Sequence, residues 1–351
     1  MDPMSLTLPT PRTPDPMSAP PLRWGVLGPG GIATALVTTL HANTRQRLVA
    51  VGSRSQERAE QFAARFGAER AYSSYEQLVA DPEVDIIYVA TPHSEHLANA
   101  LLAIGAGKHL LIEKAFTRNA GEARQVLDAA RAAGVSVLEA MWTRFLPDMD
   151  VVRQLLTDGA LGEIETVFAD HGQWFAEDPD FRLFDPAKAG GAMLDLGVYP
   201  VSFTHFVLGA PGRVLSRGTR AFTGVDRQIS GILDEYPDQP FAHALVSTTL
   251  AAKTPTVGLI SGRLARIEIP GAFYAPQRVR LVSRDGDIAE SAAPAIDGHL
   301  GLCYEAAHLA TMIAEGRQES ELLPWSETLA VMETMDELRR QVGISLPGEV
   351  L

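Results

Sequence analysis

Disulfides, long apolar runs and a basic field are all missing from this chain of 351 residues. Its single cysteine, Cys303, has no partner for an intrachain disulfide and no companion for a cysteine zinc site. That usage points to a reducing compartment, the cytoplasm, and to Cys303 as a small buried residue on a helix. Positive charge is also short. Thirty Lys and Arg against 43 Asp and Glu, net −13, offer no overall attraction for nucleic acid or an anionic membrane, so any phosphate must be held locally. No stretch approaches the length of a membrane span. The first 21 residues have no apolar run, which excludes a signal-peptide core and a twin-arginine signal. They hold seven prolines and read as a disordered tail. Met4 and Met17 both precede the first strand, so a start at either leaves the fold untouched.

What is present is ordinary for a soluble globular protein, 46% hydrophobic and 21% charged, with length for two domains. From residue 22 to 146, strand and helix patterns alternate. A strand near residue 23 leads into a helix at Thr34–Leu40 and a strand at Arg47–Gly52. Helices then follow at Gln56–Phe66, ended by Gly67, and at Ser74–Ala80, ended before Pro82. Asp85–Ala90 is nearly continuous in apolar residues, as a parallel strand buried on both faces requires. A helix at Glu95–Ile104, a strand at His109–Ile112, a helix at Ala120–Ala133 closed by Gly134 and a strand at Val135–Leu138 complete a doubly wound α/β sheet.

From residue 147 to 351 the texture is α+β. One helix is followed by β-rich segments at Glu165–Ala169, Val214–Ala221, Ala242–Ala251, Ala265–Ile269 and Arg278–Ser283. Strands in succession predict a large, mostly antiparallel open sheet, and Asp285-Gly286 is a hairpin signal. Helices at Tyr304–Glu315 and Trp325–Val342 end the chain. They are expected to pack back on the first domain.

Residues 23–33, Arg-Trp-Gly-Val-Leu-Gly-Pro-Gly-Gly-Ile-Ala, carry the first chemical signal, a strand entering a glycine turn and a helix. Gly28 permits the turn, Gly30 lets the backbone approach a pyrophosphate, and Ala33 takes the small position where helix meets strand. Gly31 and Ile32 open the helix, where N–H groups and dipole favour an anion. After the second strand, Ser53-Arg54 replaces the acidic residue that would bind a ribose 2′-hydroxyl. A hydroxyl and a guanidinium suit a 2′-phosphate instead, so the expected cofactor is NADP.

Asp195 and Tyr199 are four apart and share a face if their segment is helical. A tyrosine of ordinary pKa, about 10, is a poor base at neutral pH, and a nearby ammonium favours its phenolate. Lys114, at the carboxyl end of a parallel strand, is the candidate for that ammonium. His93 and His96 stand three apart without a clear third ligand. No metal is expected, and His96 reads as a helix-surface residue.

Ala90-Thr-Pro-His93, Glu113-Lys114 and Gly190-Gly-Ala-Met-Leu-Asp-Leu-Gly-Val-Tyr199, with the glycine turn, resemble the glucose-fructose oxidoreductase, inositol dehydrogenase and rhizopine-catabolism (Gfo/Idh/MocA) family. The resemblance runs from about residue 23 to 345. Glu139-Ala-Met-Trp-Thr-Arg-Phe-Leu-Pro147 and Arg182-Leu-Phe-Asp-Pro186 look like its branch of dimeric dihydrodiol dehydrogenases and NADP-dependent D-xylose 1-dehydrogenases. The resemblance implies Tyr199 as proton acceptor, Lys114 as its partner, Asp195 as a substrate-orienting group, and hydride passed to the nicotinamide. It places Thr91, Pro92, His93, Glu113 and Lys114 against the cofactor, and Trp142, Arg144 and Arg182 beside the substrate. For Trp142, packing between the domains is an equal alternative. One departure is Ala115, where the family has proline, which leaves the placement of Lys114 open.

The function expected is oxidation of a secondary or anomeric hydroxyl of a small sugar, polyol or cyclic diol, by a homodimer formed through the open sheet. The alternatives are a dehydrogenase of other sugar or inositol specificity, a related NAD-using glycosidase, and a non-catalytic dinucleotide-sensing regulator. Tyr199 and Ser53-Arg54 disfavour the glycosidase. The joint presence of Lys114, Asp195 and Tyr199 disfavours the regulator.

Overall fold

A computed structural model describes residues 6–349. The chain divides into two compact units. One comprises Pro14–Phe145 and Gly298–Leu329, and the other comprises 6–13, Leu146–Asp297 and 330–349.

The first unit holds a parallel sheet of β1 (Arg23–Leu27), β2 (Arg47–Gly52), β3 (Arg70–Tyr72), β4 (Ile86–Val89), β5 (His109–Glu113) and β6 (Val137–Ala140). Their order is β3-β2-β1-β4-β5-β6. It reverses between β1 and β4, and in such sheets ligands bind at that point, beyond the carboxyl ends of the strands. Every residue of β4 is buried, as its apolar run requires between two helical layers. The helices are α1 (Gly31–Asn43), α2 (Gln56–Phe66), α3 (Tyr75–Val79), α4 (His96–Gly105) and α5 (Ala120–Ala133). Local chemistry sets their ends. The side chains of Ser55 and Asn119 cap α2 and α5, and Gly67 and Gly134 close them in the left-handed conformation. Only β3, three residues long, was not foreseen.

In the second unit, α6 (Pro147–Thr157) precedes β7 (Ile164–Gly172), and α7 (Val198–Leu208) precedes β8 (Arg213–Arg220), β9 (Asp226–Asp234) and β10 (His243–Thr249). Then come β11 (Gly258–Gly262), β12 (Ala265–Ile269), β13 (Arg280–Ser283) and β14 (Ile288–Glu290). The eight strands lie in the order β14-β13-β12-β11-β7-β10-β9-β8. The β13–β14 hairpin turns at Asp285-Gly286, with Gly286 at φ +99°. Pairing is antiparallel except between β7 and β10, which run parallel. α7 lies across β7, β10 and β11. α8 (Cys303–Ala314) belongs to the first unit, and α9 (Trp325–Gln341) contributes to both. Cys303 is buried. No helix among the described residues is long and apolar enough to cross a membrane.

The proline-rich segment is ordered from residue 6 onward rather than disordered. In the second unit, Asp150 of α6 accepts hydrogen bonds from the backbone N–H of Arg12 at 2.7 Å and from its guanidinium at 3.1 Å. Gln154 donates to the Thr10 carbonyl at 3.0 Å. In the first unit, a short turn at Pro16–Ser18 leads to Ala19, which packs with Leu22 against Ala307 and Ala310 of α8. Proline restricts the unfolded chain, so such a segment loses little entropy on docking. Residues 1–5 lie outside the described residues.

Candidate active site

The glycine turn behaves as its sequence requires. Gly28 has φ +94°, and a Cβ there would stand 3.0 Å from the Ala90 carbonyl oxygen, so no other residue fits without strain. At Gly30 and Gly31 an added Cβ meets nothing within 4 Å. No side chain caps α1 and no acidic residue stands in its first turn, which leaves the positive end of the helix open to an anion. This open surface fits a dinucleotide pyrophosphate. Ser53 is buried and Arg54 is exposed, the latter paired with Glu95 at 3.2 Å. A surface pair of this kind is worth about 0–1 kcal/mol, too little to hold Arg54 from a phosphate. Arg58, in the first turn of α2, acts with Arg54 on Tyr75. It is a second local guanidinium that sequence reasoning missed.

Two histidines organise the loops that follow β4 and β5. His93 Nε2 lies 3.1 Å from the Lys114 carbonyl. His96 Nε2 meets the Thr91 carbonyl at 2.8 Å, and its Nδ1 meets those of Ala115 and Phe116 at 3.1 and 3.2 Å. Asn99 donates to the Thr91 hydroxyl at 3.0 Å. His96 is therefore no surface residue. It is 0% exposed, because it is the first residue of α4 and its ring meets carbonyls of both loops. Burial lowers its pKa. Ala115 is buried, and the Lys114–Ala115 peptide bond is cis. Sequence reasoning missed this organising role, although the three-residue spacing had drawn attention to the pair.

Beneath Lys114, Tyr88 donates to Glu113, and Thr328 donates to Glu139 at 3.1 Å. Burial pushes Glu139 up to about 7 and Glu305 well above the ordinary range, with neighbouring carboxylates adding to the effect. Arg144, implied to stand beside the substrate, lies in the short turn Trp142–Phe145. Its guanidinium is 2% exposed and paired with Glu327 at 2.6 Å. Trp142 is 3% exposed and stacks on His299 of the same unit, with ring centroids 5.9 Å apart. Among the described residues no cluster of His, Cys, Asp or Glu is arranged for a metal.

The second unit brings Arg182, Asp195 and Tyr199 together. Met193–Gly197 forms a π-helical turn that runs directly into α7, so Asp195 and Tyr199 sit on one continuous but locally widened helix rather than a uniform α-helix. Such turns are frequent at functional sites. Arg182 donates to Asp195 at 3.0 Å. Tyr199 stacks on Tyr274 with ring centroids 4.3 Å apart, and His171 lies 4.6 Å from the Tyr274 ring and 5.5 Å from that of Tyr199. Gln173 is 3.0 Å from His171 Nε2 and hydrogen-bonds Tyr274. Burial, then the Asp195 charge, raises the Tyr274 pKa. His171, Gln173 and Tyr274 were not singled out in the sequence. They meet only because the end of β7 and the loop after β12 adjoin the π turn.

Residues 22–141 match an oxidoreductase family with an NAD-binding Rossmann fold, and residues 149–271 match the GFO/IDH/MocA C-terminal domain. The chain is a GFO/IDH/MocA oxidoreductase. This family member is 32% identical over 336 residues to the trans-1,2-dihydrobenzene-1,2-diol dehydrogenase of Homo sapiens, covering 93% of this chain and 99% of that protein. It is 35% identical to the NADP(+)-dependent D-xylose 1-dehydrogenase of Hypocrea jecorina, covering 93% of each. Among solved structures, the aldose-aldose oxidoreductase of Caulobacter crescentus shares the fold, with a TM-score of 0.81, 24% identity and coverage of 92% and 98%.

Proposed function

We propose that this GFO/IDH/MocA oxidoreductase uses NADP to oxidise a secondary or anomeric hydroxyl of a small sugar, polyol or cyclic diol. The observation that carries the reading is the grouping of Tyr199, Asp195 and Arg182 on and beside one π turn. Bound at the glycine turn, the nicotinamide cofactor supplies the hydride acceptor. Gly28, Gly30, Gly31 and Ile32 hold its pyrophosphate, Thr91, Pro92, His93 and Glu113 line the adjoining loops, and Ser53 and Arg54 hold the 2′-phosphate. Tyr199 takes the hydroxyl proton, and Lys114 supplies the positive charge that favours its phenolate. Asp195, oriented by Arg182, accepts a hydrogen bond from a second substrate hydroxyl. A panel of aldoses, polyols and trans-dihydrodiols, followed by NADPH absorbance, tests this. Absence of turnover across the panel overturns the reading.

The enzyme works as a homodimer through the sheet face opposite α7. On that face Leu215 stands opposite Ile232, Ile232 opposite Leu245, Leu245 opposite Phe168 and Phe168 opposite Leu259. The apolar row ends where Glu268 and Arg280 pair at 3.1 Å. Leu215, Ile232 and Leu245 are exposed, and a continuous exposed stripe of this kind marks an association surface. A two-fold dimer is the simplest closed assembly. Its place is the reducing cytoplasm, in keeping with a single buried cysteine.

A further inference from the structure

Asp226, the first residue of β9, is 1% exposed and is not among the groups assigned above to substrate or cofactor. Its Oδ2 accepts a hydrogen bond from the backbone N–H of Met193 at 2.5 Å, and the Ala192 N–H also bonds its carboxylate. These are the N–H groups at the amino end of the π turn, which no other side chain caps. The double glycine before that turn is shaped to the same carboxylate. Gly191 has φ +119°, and a Cβ on it would stand 2.1 Å from Asp226 Oδ1. On the other side, a Cβ on Gly190 would stand 2.6 Å from the Leu183 carbonyl oxygen. The two glycines thread between Asp226 and the turn that carries Arg182.

We propose that Asp226 is a positioning residue for the oxidation, resting on the function given above. Its carboxylate clamps the amino end of the π turn and so fixes where Asp195 and Tyr199 stand. A π turn is rare within helices and persists where its surroundings hold it. A charge-assisted bond to two backbone N–H groups is a strong means of doing so. Burial raises the pKa of this carboxyl above the ordinary value, and the bonds from the Met193 and Ala192 N–H groups and the Arg339 charge oppose that rise.

The test is steady-state kinetics of Asp226→Asn and Gly191→Ala, with NADP binding measured by fluorescence titration. For Asp226→Asn, kcat should fall by roughly a hundredfold, the scale set by displacing a reacting group about 1 Å. Affinity for NADP should stay within about twofold, since the residues assigned to it lie on the other unit. Gly191→Ala presses on the clamp from the opposite side and should show the same split. In the Asp226→Ala background, Gly191→Ala should lower kcat less than it does in wild type, because the atom it strikes is gone. Normal kcat in Asp226→Asn, or equal loss of kcat and NADP binding in every variant, overturns the proposal. Should Asp226→Asn fail to fold, normal kcat in Gly191→Ala overturns it alone. An inactive wild type would instead refute the oxidation itself.

Discussion

The ring of Tyr199 stacks on that of Tyr274, with centroids 4.3 Å apart and planes 23° from parallel. An aromatic pair of this kind is worth about 0.5–1.5 kcal/mol beyond its burial, so the ring holds its position independently of its hydroxyl. Tyr199→Phe should therefore keep the fold, the melting temperature and NADP affinity. Its kcat should fall by roughly 10²–10⁴, the range for one general base. Near-normal kcat would remove Tyr199 from the chemistry and shift suspicion to Asp195.

Lys114→Met removes a positive charge, and a phenol without a cationic neighbour ionises at higher pH. The rising limb of kcat against pH in the oxidation direction should move upward and the plateau should fall. An unmoved limb would show that Lys114 does not set the ionisation of the base.

Cofactor choice should respond to Arg54. Arg54→Ala removes a charge-assisted contact available only to the 2′-phosphate, so NADP should weaken about tenfold or more while NAD is nearly unaffected. Ser53→Asp should move preference toward NAD. Equal loss of both cofactors in calorimetric titration would contradict the assignment.

The buried carboxyls Glu139 and Glu305 make the first unit pH-sensitive. Unfolded, Glu139 and Glu305 lose their protons near the ordinary value of 4.5, while folded they retain them to about 7 and well above 4.5, respectively. The unfolded state thus binds fewer protons, and stability falls as pH rises through that window. Glu305→Gln removes one such group. Its melting temperature should match wild type near pH 5 and exceed it by a few degrees near pH 8. A constant difference across that range would show that Glu305 does not titrate between the two states.

For assembly, Ile232→Glu places a carboxylate in the middle of the apolar row. An unpaired charge buried at an interface costs about 2–5 kcal/mol, so light scattering at micromolar concentration should report the dimer for wild type and the monomer for the variant. A monomeric wild type would rule out the proposed surface.

The parallel sheet was legible because Asp85–Ala90 and its neighbours are continuous apolar runs, and because Gly67 and Gly134 stop helices by a local rule. β9 was not legible. Asp226 is buried to hold a distant turn, and a glycine lies inside the strand, so the segment reads as polar. β11 is bracketed by glycines, and its partners come from elsewhere in the chain. The motifs carried Asp195 and Tyr199, since the residue types and their spacing are local. His171 and Tyr274 belong to no local pattern, and only the folding of β7 against β11, and of β11 against β12, brings them to Tyr199. His96 was misread as a helix-surface residue. A polar side chain at a helix start reads as exposed, yet this one ties the buried backbone of two loops.

The parallel pairing of β7 with β10 has a consequence for the order in which the second unit assembles. β7 leaves the ribosome before either of its neighbours in the sheet, and its pairing with β10 closes a loop that contains α7, β8 and β9. Loop-closure entropy makes such non-local ladders slow, whereas the β8–β9 and β13–β14 hairpins need only adjacent chain. The seam beside Tyr199 is thus expected to be the last part of the sheet to close. Pulsed hydrogen exchange during refolding should protect the β8–β9 amides before those of β7, and simultaneous protection would contradict that order.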